Sequence, residues 1–238
     1  MNGSTMNDFE NLPDQVREAV VDAAEDPVEK PAEGLVSHLA PDSPRTAEVV
    51  RTTKETDIKL VLNLDGTGQA NIATGVPFFD HMLEAFTRHG LFDLDVQATG
   101  DIDVDAHHTV EDTGIVLGQA FAQALADKRG IVRFGNSFLA MDEALVLAAV
   151  DISGRGQLHY AVDLPIEMVG TFDTTLAKEF FIALATNAGV TLHLRSFSGE
   201  NSHHILEAAF KAAGRALCDA TRINPRIAEE LPTTKGAL

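Results

Sequence analysis

A chain of 238 residues, 45% of them hydrophobic, can bury one large core or two fused halves. Its formal charge of -18 repels nucleic acid and anionic membranes, so an anionic substrate has to be captured by a local cluster of cations. No apolar run of bilayer length and no signal-like N-terminus appears, so the expectation is a soluble, cytoplasmic protein with neither a membrane nor a nucleic acid as partner.

The first 48 residues stand apart, with 11 Asp/Glu against 3 Lys/Arg and five of the nine prolines. They read as a flexible acidic extension. "LPDQVREAVVDAAEDP" places Leu12, Val16 and Val20 near one helical face with Pro27 as its stop, and Pro31, Pro41 and Pro44 mark a linker. Residues 49–238 read as the folded domain. In "DIKLVLNLDGTGQANIAT", Ile58, Leu60, Leu62 and Leu64 alternate into a glycine-containing turn and a second strand, which predicts a β-hairpin. "VPFFDHMLEAFTRHG" predicts a helix with Pro77 near its start and Gly90 as its stop. A strand "LFDLDVQA" and a long helix from about His107 to Lys128 follow. The same order then returns: strands in "SFLAMDEALVLAAVDISGRGQLHYAVDL", a helix "TTLAKEFFIALATNAG" ending at Gly189, a strand "VTLHLRSF" and a long helix "SHHILEAAFKAAGRALCDAT". Cys218, the single cysteine, has no partner for an internal disulfide and reads as a small packing residue.

Two stretches, "DAHHTVEDTG" and "NSHHILEAAF", use four of the 9 histidines on one pattern, a histidine pair ahead of a glutamate. An offset of 96 superposes His107 on His203, His108 on His204, Glu111 on Glu207 and Gly118 on Gly214. Chance predicts about 0.05 matches to such a pattern, so two in register indicate a duplicated chain, with repeats of about 49–135 and 136–238. Residues three apart share a helix face, so His108 with Glu111, and His204 with Glu207, are each expected to grip one ion. His107 and His203, turned about 100° away, then serve another. Imidazole with carboxylate and without thiolate suits manganese, iron or zinc.

The ordered blocks "FFDHMLEAFTRHG", "DAHHTVEDTGIVLGQAF", "MDEALVLAAVDISGRG", "AGVTLHL" and "NSHHILEAAFKAAGRAL" together resemble the imidazoleglycerol-phosphate dehydratases, from about Val49 to Leu238. The resemblance implies an α+β fold made of a duplicated half-domain (ribosomal protein S5 domain 2-like), with helices packed between two mostly antiparallel four-stranded sheets. It implies a metal-dependent lyase of histidine biosynthesis, dehydrating D-erythro-imidazole glycerol phosphate to imidazole acetol phosphate. Two manganese ions per subunit, or other divalent metals, are then held by His81, His107, His108, Glu111, His203, His204 and Glu207. Glu179 stands where many members carry a histidine, and a carboxylate is a harder donor that also suits manganese. Glu55 in "TTKETDI" is implied as the general acid/base, which is needed because the proton removed is not next to a carbonyl. Arg133, Arg155, Lys211, Thr233 in place of a usual serine, and Lys235 are implied around the substrate phosphate, with His89 as a further substrate contact. Ala85 occupies a position that is glutamine in many members, and no polar role falls to it. The implied assembly is a homo-oligomer of 24 subunits built from trimers, with sites completed across subunits. A metal-dependent phosphoester hydrolase and a manganese-binding storage shell would share the ligands, but neither accounts for the ordered blocks or the flanking cations.

Overall fold

The structure, a computed structural model, describes residues 45–236. The N-terminal helix and linker expected from the sequence lie outside the described residues. Strands β1 (Thr46–Thr52), β2 (Thr56–Asn63) and β3 (Ala70–Ala73), helix α1 (Pro77–Gly90), strand β4 (Asp93–Gly100) and helix α2 (His107–Leu125) form a first half. Strands β5 (Phe134–Met141), β6 (Ala144–Asp151) and β7 (Gln157–Ala161) open the second. A short ribbon of β8 (Met168–Val169) and β9 (Phe172–Asp173), helix α3 (Leu176–Ala188), strand β10 (Thr191–Ser198) and helix α4 (Ser202–Thr221) complete it. The two main sheets have orders β1-β2-β4-β3 and β5-β6-β10-β7, so the halves share one topology. β1 begins at Thr46, ahead of the boundary at 49 expected from the sequence.

Period-two patterning decides which sheet faces meet the helices. β2 buries Thr56, Ile58, Leu60 and Leu62, while β6 buries Ala144, Val146, Ala148 and Val150. Helix α2 rests on the first sheet and α4 on the second. Across the halves, α3 packs on α2 and α1 packs on α4, so a single core runs between the sheets. Two glycines allow these helices to approach. A Cβ at Gly214 of α4 would stand 2.3 Å from the carbonyl oxygen of Phe86 in α1, and one at Gly118 of α2 would stand 2.7 Å from that of Leu184 in α3. These are the two glycines that the 96-residue offset superposes.

The structure corrects three details. The hairpin expected after β2 does not form, because β3 pairs in parallel with β4, and β4 inserts between β2 and β3. Asp93, the first residue of β4, accepts hydrogen bonds from the backbone N–H groups of Thr67 and Gln69 at 2.8 and 3.0 Å. That grip draws the connecting loop around β4, and α1 supplies the crossover that a parallel pair requires. Each sheet is therefore mixed, with one parallel pair, β3 with β4 and β7 with β10. Helix α1 keeps Gly90 as its last residue and takes its left-handed cap at Leu91, with φ 56°. Helix α2 ends at Leu125 rather than near Lys128. Cys218 packs half-buried against the core, and burial pushes its thiol pKa up, as a packing role requires. Among the described residues no helix is long and apolar enough to cross a membrane.

Gly→Ala within a helix ordinarily stabilises by about 1 kcal/mol. At Gly214 the α1 backbone reverses the sign. Gly214→Ala should cost about 1–3 kcal/mol, read as a lower urea midpoint at unchanged slope, and a higher midpoint would contradict the packing described.

Candidate functional site

Both histidine pairs sit in a first helical turn, where a side chain just ahead of the helix, the N-cap Asn201 or Asp105 before the N-cap Ala106, accepts a backbone N–H. Asn201 accepts the backbone N–H of His203 at 2.9 Å, and Asp105 accepts that of His107 at 2.8 Å. The glutamate one turn on then meets the first histidine of each pair, not the second. His203 Nε2 lies 3.2 Å from Glu207 Oε2, and His107 Nε2 lies 3.6 Å from Glu111 Oε2. The direct contacts are therefore i,i+4, while the i,i+3 residues expected to share an ion, His108 with Glu111 and His204 with Glu207, make no direct contact with each other. The reason lies outside the helices, where a carboxylate engages each second histidine. His108 Nδ1 lies 3.0 Å from Asp101, and His204 Nδ1 lies 2.8 Å from Glu143. Those hydrogen bonds raise the pKa values of both histidines above the ordinary imidazole value.

Helix α1 adds His81, whose Nε2 is 3.5 Å from Glu207 Oε2. The donor atoms of His81, His203 and Glu207 all lie within 4.8 Å of one another. Glu207 is 7% exposed, and a carboxylate so buried needs partners. Lys211 supplies one, its Nζ 2.6 Å from Glu207 Oε1, so the i,i+4 ion pair forms on α4. Burial alone would push the Glu207 carboxyl up, but the Lys211 hydrogen bond and charge, with His81 and His203, hold it below the usual carboxylate value. Two imidazoles and a carboxylate fit a borderline or hard divalent cation.

Lys211 also lines an open pocket of about 500 Å³ together with His89, Ser137 and Arg215. Two cations, Lys211 and Arg215, against one carboxylate, Asp219, line it, which makes the pocket net cationic in a chain of charge -18, and burial followed by those two charges lowers the His89 pKa. Arg215 escaped the sequence reading, although it stands one helical turn beyond Lys211.

Elsewhere the candidate residues are dispersed. Glu55 lies exposed in the β1–β2 turn, where its carbonyl accepts Asp101 N–H at 3.1 Å and its charge helps raise His108. Glu179 is half-buried in the first turn of α3, the counterpart of the turn of α1 that carries His81. Arg133 donates to Asp151 at 2.8 Å and to the Pro232 carbonyl at 2.8 Å, which brings it beside the turn where Thr233 Oγ1 accepts Lys235 N–H. Arg155 is exposed in the loop between β6 and β7, and Ala85 is buried in α1. No hydrogen bond or ion pair joins Glu55, Glu179 or Arg155 to the His81 group among the described residues. Asp101 and Glu143, which meet the second histidines, also escaped the sequence reading. Asp101 is one of several acids in "GDIDVDAHH", and Glu143 is 61 residues from His204.

A duplicated α+β sandwich that sets two imidazoles and a buried carboxylate beside a cation-lined pocket defines the class, a small-molecule enzyme site for an anionic substrate. Comparison with known proteins narrows it. A family model described as imidazoleglycerol-phosphate dehydratase matches residues 74–217. The imidazoleglycerol-phosphate dehydratase of Acetivibrio thermocellus is 59% identical over 194 residues, 82% of this chain and 99% of that relative. That of Gluconacetobacter diazotrophicus is 57% identical over 197 residues, 83% of this chain and 100% of the relative. Among solved structures, the Staphylococcus aureus dehydratase superposes with a TM-score of 0.69 at 41% identity, covering 75% of this chain and 99% of that one. The Pyrococcus furiosus enzyme, in complex with (S)-C348, gives 0.70 at 40% identity, covering 80% and 100%. The chain belongs to the imidazoleglycerol-phosphate dehydratase family, which are hydro-lyases.

His81→Ala should weaken manganese binding to the full chain by about tenfold or more, measured by titration calorimetry, and an unchanged affinity would remove His81 from the ligand set. Because the His108 and His204 pKa values are raised, protons would compete with an ion ligated there at higher pH than at an ordinary histidine. Affinity should accordingly fall as pH is lowered from about 8 to about 6.

Proposed function

We propose that this chain dehydrates D-erythro-imidazole glycerol phosphate to imidazole acetol phosphate, releasing water, as a step of histidine biosynthesis. The reading includes metal dependence, with two manganese ions per subunit held by His81, His107, His108, Glu111, Glu179, His203, His204 and Glu207. One observation carries it: His81, His203 and Glu207 converge beside the pocket of His89, Lys211 and Arg215. A cation-binding donor set, whose ion when bound would accept an imidazole nitrogen, next to a cationic pocket suits a substrate with an imidazole at one end and a phosphate at the other.

The reaction takes a proton from the carbon bearing the middle hydroxyl and expels the hydroxyl from the carbon next to the ring. The resulting enol tautomerises to the ketone. No carbonyl acidifies that carbon, and divalent ions, when bound, supply Lewis-acid polarisation. The chain's residues bind, orient and move protons. Lys211, His89 and Arg215 meet the phosphate, and Arg155 and Lys235, which lie outside this pocket in the single chain, are further phosphate contacts of the same reading. Arg133, held by Asp151 and the Pro232 carbonyl, sets the Thr233–Lys235 turn and adds its charge. Glu55 removes the proton and returns one to the enol.

Assembly into a 24-subunit shell built from trimers belongs to the same reading, as does a cytoplasmic location without membrane or nucleic-acid partners. In its support, His81, His203 and Glu207 are the donor group that converges within one chain among the described residues, fewer than the eight ligands of this reading, and neighbouring copies would complete the set.

With manganese, the protein should form the enolisable ketone from imidazole glycerol phosphate, lose turnover on chelation and regain it when manganese is returned. Glu55→Gln should keep manganese binding and the assembly while kcat falls by about 100-fold or more. Manganese binding without dehydration in the unmodified protein would favour the storage reading, and near-normal kcat in Glu55→Gln would remove Glu55 from the chemistry.

A further inference from the structure

The duplication extends to the turn that carries Glu55. Glu55 immediately precedes Thr56, the first residue of β2, and Glu143 immediately precedes Ala144, the first residue of β6. β2 and β6 hold the same place in their sheets, so the two glutamates are counterparts at the tips of equivalent hairpins. Each stands by the second histidine of its own half: Glu143 is hydrogen-bonded to His204, and Glu55 is linked to His108 through Asp101, whose N–H donates to the Glu55 carbonyl and whose carboxylate meets His108 Nδ1.

The two halves then use that glutamate differently. Glu143 Oε2 takes His204 Nδ1 at 2.8 Å, while Oε1 accepts the backbone N–H groups of Glu200 and Asn201 at 3.1 and 2.9 Å. Both oxygens are committed, and the loop ahead of α4 is clamped to the hairpin. In the first half His108 Nδ1 is met by Asp101, whose oxygens lie at 3.0 and 3.2 Å. Asp101 comes from the end of β4, a place unrelated to the hairpin tip, and its own N–H donates to the Glu55 carbonyl. The Glu55 carboxylate makes no hydrogen bond to a protein group among the described residues. An imidazole that donates through Nδ1 presents the Nε2 lone pair, the arrangement by which a carboxylate orients a metal-binding histidine.

We propose that Asp101 and Glu143 are the positioning residues of His108 and His204, and that Asp101, by taking His108 Nδ1, leaves the hairpin glutamate of the first half, Glu55, free for proton transfer. This rests on the reading that His108 and His204 ligate metal and that Glu55 moves the proton. One half of the duplicated chain keeps the hairpin glutamate as an orienting group, and the other releases it to the chemistry.

The test compares Asp101→Ala, Asp101→Asn, Glu143→Ala and Glu143→Gln in the full chain, with folding checked by circular dichroism. Manganese affinity, read from the electron paramagnetic resonance signal of the free ion, should fall about 10- to 100-fold in both alanine variants. Asp101→Asn keeps an acceptor for Nδ1 and should recover most of that loss. In Glu143→Gln a single carbonyl oxygen cannot serve both His204 and the loop amides, so affinity should still fall. At saturating manganese, kcat of Asp101→Ala should remain about tenfold or more below that of Glu143→Ala, because His108 then recruits Glu55. Wild-type affinity in the alanine variants overturns the positioning role, and equal kcat values at saturation overturn the release of Glu55. If the unmodified protein binds manganese but does not dehydrate the substrate, the functional reading fails instead, while the affinity comparison still decides the positioning.

Discussion

A carboxylate buried in an alanine-rich helix is the constraint on which the rest of the site depends. Glu207 is held as a carboxylate at 7% exposure by Lys211 one turn away on α4, by His203 one turn before it and by His81 reaching it from α1. That reach requires α1 to lie against α4 at backbone distance, and Gly214 is the residue that permits it. The close contact, the buried charge and the imidazole pair are therefore one arrangement. Loosening the helices would separate His81 from Glu207 before it disturbed either sheet. Lys211 has a double place here, neutralising Glu207 in the absence of metal while facing the cationic pocket. A cation entering between His81, His203 and Glu207 would compete with Lys211 for the same carboxylate, which ties the ion to the pocket through a single side chain.

Duplication explains how one chain comes to present two such helix starts. The halves share sheet order, crossover helices and a glycine at the same point of the long helix. They have diverged in what surrounds the histidines. In the second half the pair is completed by His81, a residue of the first, because α1 packs across onto α4. The mirrored contact of α3 on α2 puts Glu179 in the corresponding turn, without a hydrogen bond or ion pair from it to His107 or Glu111 among the described residues.

Much of this was legible in the sequence because its causes are local. Helical spacing showed the histidine–glutamate turns, and the 96-residue offset showed the repeat together with Gly118 and Gly214. Pro77 and Gly189 marked their helices because a fixed φ and a left-handed cap are properties of single residues. What stayed hidden depends on distant groups. Which histidine of a pair faces the glutamate is decided by Asp101 and Glu143, and neither announces itself by spacing. The placement of β3 beside β4 turns on hydrogen bonds from the Thr67 and Gln69 amides to Asp93, whereas the alternating apolar pattern was equally compatible with a hairpin. Glu55 looks like any charged turn residue, and only the resemblance to the dehydratases singled it out.

The central claim is that His81, His203 and Glu207 hold a divalent ion beside the pocket of Lys211 and Arg215. Anomalous diffraction at the manganese edge from crystals of the manganese-loaded protein tests it most directly. The account predicts a peak within coordination distance of His81, His203 and Glu207, with the Lys211 ammonium displaced from the Glu207 carboxylate. Full manganese occupancy elsewhere, with the Glu207–Lys211 ion pair intact and no peak between the two histidines, would contradict it.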